Sequence, residues 1–93
     1  MSLYLKVELW DGQFSSENWV TFVDRNGDSV GLFCDKKDIR EQFDGSGLMK
    51  VKMFQSFQKE ECKIVTLPKH VIASTKGNDS RFVCVKNVQL IKI

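Results

Sequence analysis

The chain has 93 residues, enough for one domain, and 42% apolar with 28% charged residues is the balance of a folded globular protein. Those figures exclude collagen, a coiled coil or disorder over the whole length. Fourteen basic against twelve acidic residues leave +2, too little to require a polyanionic partner.

Alternation with a period of two dominates. Leu3, Leu5, Val7 and Leu9 alternate with Tyr4, Lys6, Glu8 and Trp10, the pattern of a half-buried strand. Asp11-Gly12 marks a turn. Residues 18–24 (NWVTFVD) form a second strand rich in β-branched and aromatic side chains, and Ser29 to Cys34 a third. Asn26-Gly27 between them signals a hairpin, because a type I′ turn needs positive φ at both central residues. Residues 35–43 (DKKDIREQF) break the alternation. A helix of at most two turns is expected there, capped by Asp35, with Ile39 and Phe43 on one face. Asp44-Gly45-Ser46-Gly47 reads as a loop.

In the second half, residues 48–57 place Met49, Val51, Met53 and Phe57 on one face and Lys50 and Lys52 on the other. Glu60-Glu61 interrupts before a strand from Cys62 to Leu67, which Pro68 ends because it cannot donate to a ladder. Residues 68–74 suit a short turn or 3-10 connection, and Lys76 to Ser80 a loop. Residues 81–93 are β-prone to the end. Val83 and Val85 have one parity, Val88 and Leu90 the other, so a bulge or break near Asn87 is expected to bring both pairs to the core. The expected fold is mainly β. It is one domain over residues 1–93: a small antiparallel barrel, SH3-like or OB-like, of about six strands with one short helical turn.

Cys34, Cys62 and Cys84 stand far apart without a C-x-x-C pair, which suits buried free thiols better than a disulfide framework or a zinc ribbon. Free thiols fit a reducing cytoplasm. No run approaches about 18 apolar residues, so no transmembrane helix or membrane partner is expected. Lys6, Glu8 and Asp11 interrupt the start, where a secretory leader would need an apolar run.

Asp24, Asn26, Asp28 and Asp35 have the spacing of calcium-loop ligands. However, Ser29 stands where that loop needs glycine, Asp35 where it needs glutamate, and the flanks are strands. His70 is the only histidine, and no nucleophile signature surrounds it. No glycine-rich phosphate loop is present. The chain is therefore expected to be non-catalytic, with no metal and no cofactor.

Two binding expectations fit these residues. The second and third strands are apolar on both faces, more than a free-standing sheet with one wet side needs. An outer apolar face and an open strand edge would then serve association with another protein chain or with a second copy, through Tyr4, Trp10, Val20 and Phe22. The alternative rests on charge. Residues 1–47 carry five basic and nine acidic side chains, residues 48–93 nine basic and three acidic. Lys50, Lys52, Phe54 and Lys86 would give single-stranded nucleic acid a cationic strand face with aromatic rings for stacking. Only three arginines are present, which weakens base-edge readout.

Overall fold

The computed structural model describes residues 2–42, 44–75, 77 and 80–93. It is a curled antiparallel sheet forming a half-barrel, linked by short 3-10 turns and without an α-helix among the described residues. The strands are β1 (Leu3–Asp11), β2 (Glu17–Val23), β3 (Ser29–Asp35), β4 (Ile39–Glu41), β5 (Ser46–Phe57), β6 (Cys62–Thr66), β7 (Ala73–Ser74), β8 (Phe82–Lys86) and β9 (Leu90–Lys92). Their order is β7-β3-β2-β1-β5-β6-β8, with β4 added to β5 and β9 to β1.

β5 organises the sheet. Its first half pairs with β1, from Ser46 opposite Glu8 to Val51 opposite Leu3. Its second half pairs with β6, from Lys52 opposite Thr66 to Phe57 opposite Cys62. The register shifts between Met53 and Gln55, a bulge that bends the strand and sharpens its twist. The bend turns the β6–β8 ladder back towards the β2–β3 hairpin. There the Arg25 N–H donates to the Cys84 carbonyl at 2.8 Å, and Gln89 Nε2 donates to the Val23 carbonyl at 2.7 Å. These bonds tie the hairpin turn to the last strands and partly close the barrel.

The concave side holds the core. Leu5 and Val7 from β1, Val20 and Phe22 from β2, and Val30, Leu32 and Cys34 from β3 meet Met49 and Val51 from β5. Val65, Leu67, Val71, Val83 and Val85 complete the cluster. Alternation along β1 and β8 predicts these inward residues correctly. The hairpin forms where Asn26-Gly27 signals it, but the expected type I′ turn is corrected: Gly27 takes φ +85° while Asn26 does not have a positive φ, and the Gly27 N–H donates to the Asp24 carbonyl at 3.1 Å inside a loop of residues 24–28. Asp24 Oδ1 accepts from the N–H groups of Asn26 and Asp28, both at 2.9 Å, so its carboxylate serves the turn.

Several sequence expectations are corrected. Residues 36–38 form a single 3-10 turn instead of a two-turn helix, and Asp35 makes no side-chain cap. Ile39 instead opens β4 opposite Met49. Phe43 lies outside the described residues, as do Lys76, Asn78 and Asp79 of the expected loop. Met53 does not join Met49 and Val51 inside: it pairs with Val65 ahead of the bulge, but the β1 ladder ends opposite Val51, and Met53 is 47% exposed. The break near Asn87 is a 3-10 turn over Asn87–Gln89. It returns Leu90 to the edge of the core but leaves Val88 exposed. Residues 68–72 contain no 3-10 turn, and Ala73–Ser74 form a short strand on β3.

Candidate nucleic-acid interface

The convex side carries two faces of different chemistry. On the face of β5, β6 and β8, Lys52, Thr66 and Phe82 lie in one cross-strand row. These residues have the parity opposite to the buried Val51, Val65 and Val83, so they point outwards. Phe54 is the residue left unpaired by the bulge. Freed from the ladder, its ring reaches across to Phe82, edge to face, with centroids 5.0 Å apart and planes at 63°. Phe54 is 63% exposed and Phe82 46%. Two aromatic rings therefore stand open to solvent beside Lys52.

Lys50 and Lys52 project from one stretch of β5 between two shallow hollows. One, of about 290 Å³, is bounded by Lys50, Lys52, Thr66, Pro68, Arg81 and the single carboxylate Asp38. The other, of about 370 Å³, adds Leu3, Met53 and Lys92. Arg81 is held in place by its own backbone neighbours: Nε donates to the Leu67 carbonyl at 3.1 Å and Nη2 to the Pro68 carbonyl at 3.3 Å. Among the described residues Lys50, Lys52 and Lys92 enter no ion pair within 4 Å, with Asp38 the one carboxylate bordering the hollow beside Lys50 and Lys52. Lys86 has the same parity on β8 as Phe82 but sits at the far end of the strand, opposite Cys62. Lys50, Lys52 and Phe54 are thus brought together, while Lys86 is a distal member.

Between Phe82 and Lys86 lies Cys84, half-buried and adjacent to Cys62. Burial and the neighbouring Cys62 push the Cys84 thiol up, against the influence of Arg25. Arg25 in turn is held above its ordinary value by Cys62 and then by Glu60, whose carboxylate it meets at 2.7 Å.

The other convex face belongs to β1, β2 and β3, and here the expected partner residues separate. Val20 is fully buried and Phe22 is 6% exposed, both in the core of the single chain. Their expected place on an outer face is corrected. The parity was legible, but the other set, Trp19, Thr21 and Val23, faces out. Tyr4 does lie on the convex side, yet it is buried, with the Arg40 guanidinium 5.0 Å above its ring. Only Trp10 of the four is open to solvent, at 53%. Its Nε1–H donates to Thr21 Oγ1 at 2.9 Å, and Asn18 Nδ2 donates to the Trp10 carbonyl at 3.0 Å.

Among the described residues no cluster of three His, Cys, Asp or Glu side chains could hold a metal ion. No helix there is long and apolar enough to cross a membrane. His70 is exposed. Arg81 and Lys92 were not singled out from the sequence. They come from separate strands or loops, and only the strand order places them beside β5. Comparison with known proteins gave no match: no family model, no curated protein and no solved structure is significantly similar to the chain.

Proposed function

We propose that the protein is a non-catalytic binder of single-stranded nucleic acid, used in the manner of an OB-like small barrel, with the outer face of β5, β6 and β8 as the contact surface. The observation that carries this reading is the Phe54–Phe82 pair beside the unpaired cations Lys50 and Lys52. An exposed ring offers a base a stacking surface of any sequence, and lysines flanking it offer phosphates a point charge. Arg81 and Lys92 widen the cationic rim on either side of β5. A face built of lysines and phenylalanines suits backbone tracking and stacking better than base-edge recognition, so little sequence preference is expected.

The reading is tested by fluorescence anisotropy of a labelled single-stranded oligonucleotide at two salt concentrations. Binding that weakens steeply with salt, and that is lost in a Phe54→Ala/Phe82→Ala variant, is the expected result. Both rings are exposed, so that variant should stay folded, which circular dichroism checks. No binding at low salt, the condition most favourable to phosphate contacts, overturns the proposal.

A further inference from the structure

The β1–β2–β3 face has a chemistry that nucleic acid does not match. Trp10 on β1 stands directly opposite Trp19 on β2, and Trp19 directly opposite Phe33 on β3. The three side chains make an aromatic row across three strands. Trp19 and Phe33 meet edge to face, with centroids 4.8 Å apart and planes at 64°. Trp19 lies over Gly31, where an added β-carbon would collide with its six-membered ring. Trp10 is anchored through Thr21. The row is thus held from below; Trp10 is exposed, and Trp19 and Phe33 are half-buried.

Carboxylates stand on both sides of it. Glu8 lies two residues from Trp10 along β1, on the same outward parity, and is exposed. On the other side Glu17 and Asp35 face each other across β2 and β3, each two residues from an aromatic of the row. The Glu17 stem packs beside Gly12, which has no room for a side chain. Asp44 borders the hollow that Trp10 and Glu8 share. Its Oδ1 accepts from Ser46, which holds this carboxyl below its ordinary value and keeps it charged. The cations nearby include Lys69, 3.8 Å from Asp35, Lys6, two residues from Glu8, Arg40 over Tyr4 on the same side, and Lys36 and Lys37 in the turn after Asp35. Four carboxylates, Glu8, Glu17, Asp35 and Asp44, thus flank the aromatic row itself, whereas Asp38 is the single carboxylate at the hollow beside Lys50 and Lys52.

We infer that the Trp10–Trp19–Phe33 face is a second binding surface, for a cationic peptide segment carrying lysine or arginine side chains. The negative faces of indole and phenyl rings attract cations, and the methylene stems of lysine and arginine pack on the same rings. The flanking carboxylates add Coulombic attraction and repel phosphates, so charge complementarity selects a basic peptide and rejects nucleic acid.

The test uses a built-in reporter. The chain has two tryptophans, and both are in this row. Intrinsic fluorescence of the whole protein is followed at low salt while a lysine–arginine octapeptide or a glutamate octapeptide is added. The expected result is a saturable change with the basic peptide and none with the acidic one. In a Glu8→Gln/Glu17→Gln variant affinity should fall roughly threefold or more, since exposed ion pairs each contribute modestly. A Lys50→Gln/Lys52→Gln variant should bind the basic peptide no less well, which separates this surface from the proposed nucleic-acid face.

Three results would overturn the inference. One is no change with the basic peptide. Another is undiminished affinity in the glutamine variant. The third is a fluorescence change caused by raising protein concentration alone, which would assign the face to a second copy of the chain.

Discussion

Trp19 lies over the α-carbon of Gly31, and no β-carbon fits between them. The two residues are diagonal neighbours on β2 and β3, since Trp19 pairs with Phe33 and Gly31 with Thr21. A bulky indole on a convex sheet face needs a seat, and the glycine supplies it. Gly31→Ala should therefore tilt the indole out of the aromatic row and lower stability by about 1–3 kcal/mol, as overpacking does. Near-ultraviolet circular dichroism and urea unfolding read the two effects separately. An unchanged aromatic spectrum would mean that the ring is not seated there.

Val20 and Leu32 pair across β2 and β3, and both are fully buried. Leu32→Ala should cost about 2–5 kcal/mol, the range for a buried leucine whose cavity collapses only in part. Val20→Glu should prevent folding, because it places a carboxylate without a partner in an apolar interior. Chemical denaturation of the first and circular dichroism of the second check these outcomes. A folded Val20→Glu protein would contradict the burial of β2's inner face.

Lys50 and Lys52 have a quantitative signature if they contact phosphates. The slope of log affinity against log salt for a single-stranded oligonucleotide should fall by about 0.7 for each contact removed. Lys50→Gln and Lys52→Gln should each show this loss, and Lys86→Gln less of it, because Lys86 is at the distal end of β8. Anisotropy titrations at several salt concentrations measure the slope.

Cys34 gives the fold an alkaline limit. Burial, followed by Asp38 and Asp35, raises its thiol from 9.0 to about 12. Below pH 9 the thiol is protonated in both folded and unfolded chains, and the full stability is present. Above that, the unfolded chain loses its proton first, so the folded state is disfavoured progressively until its own thiol ionises near pH 12. The slope from this group is at most about 1.4 kcal/mol per pH unit. Stability measured at pH 8.5 and 10.5 should fall more steeply in the parent than in Cys34→Ala. The same burial predicts that Cys34 reacts with thiol reagents only on unfolding.

The alternation of β1, the place of the β2–β3 hairpin and the inward valines of β8 were legible in the sequence, because each is a local signal; the hairpin's turn type was not, since Asn26 does not take positive φ. The orientation of β2 was not. NWVTFVD is apolar on both parities, and what decides the matter is Gly31, eleven positions after Val20 and on another strand. The bulge at Phe54 carries no glycine or proline to announce it, yet it delivers Phe54 to Phe82. Lys50, Lys52 and Phe54 could be grouped from one strand. Their convergence with Phe82, Arg81 and Lys92 depends on strand order, which alternation does not encode. The expected helix after Asp35 failed for a physical reason: three residues of 3-10 turn suffice to reverse the chain, and Ile39 gains a ladder partner by continuing as β4.

β5 serves as a common rib for the whole domain. One stretch of backbone, Ser46–Phe57, belongs to the ladder with β1 and to the ladder with β6, and the interior on either side of its bend is continuous. The protein accordingly has no seam along which half of it could detach. Melting should be a single concerted event, with the amides around Met49 and Val51 the last to trade their hydrogen for deuterium. A ligand that grips either convex face would thereby steady the other.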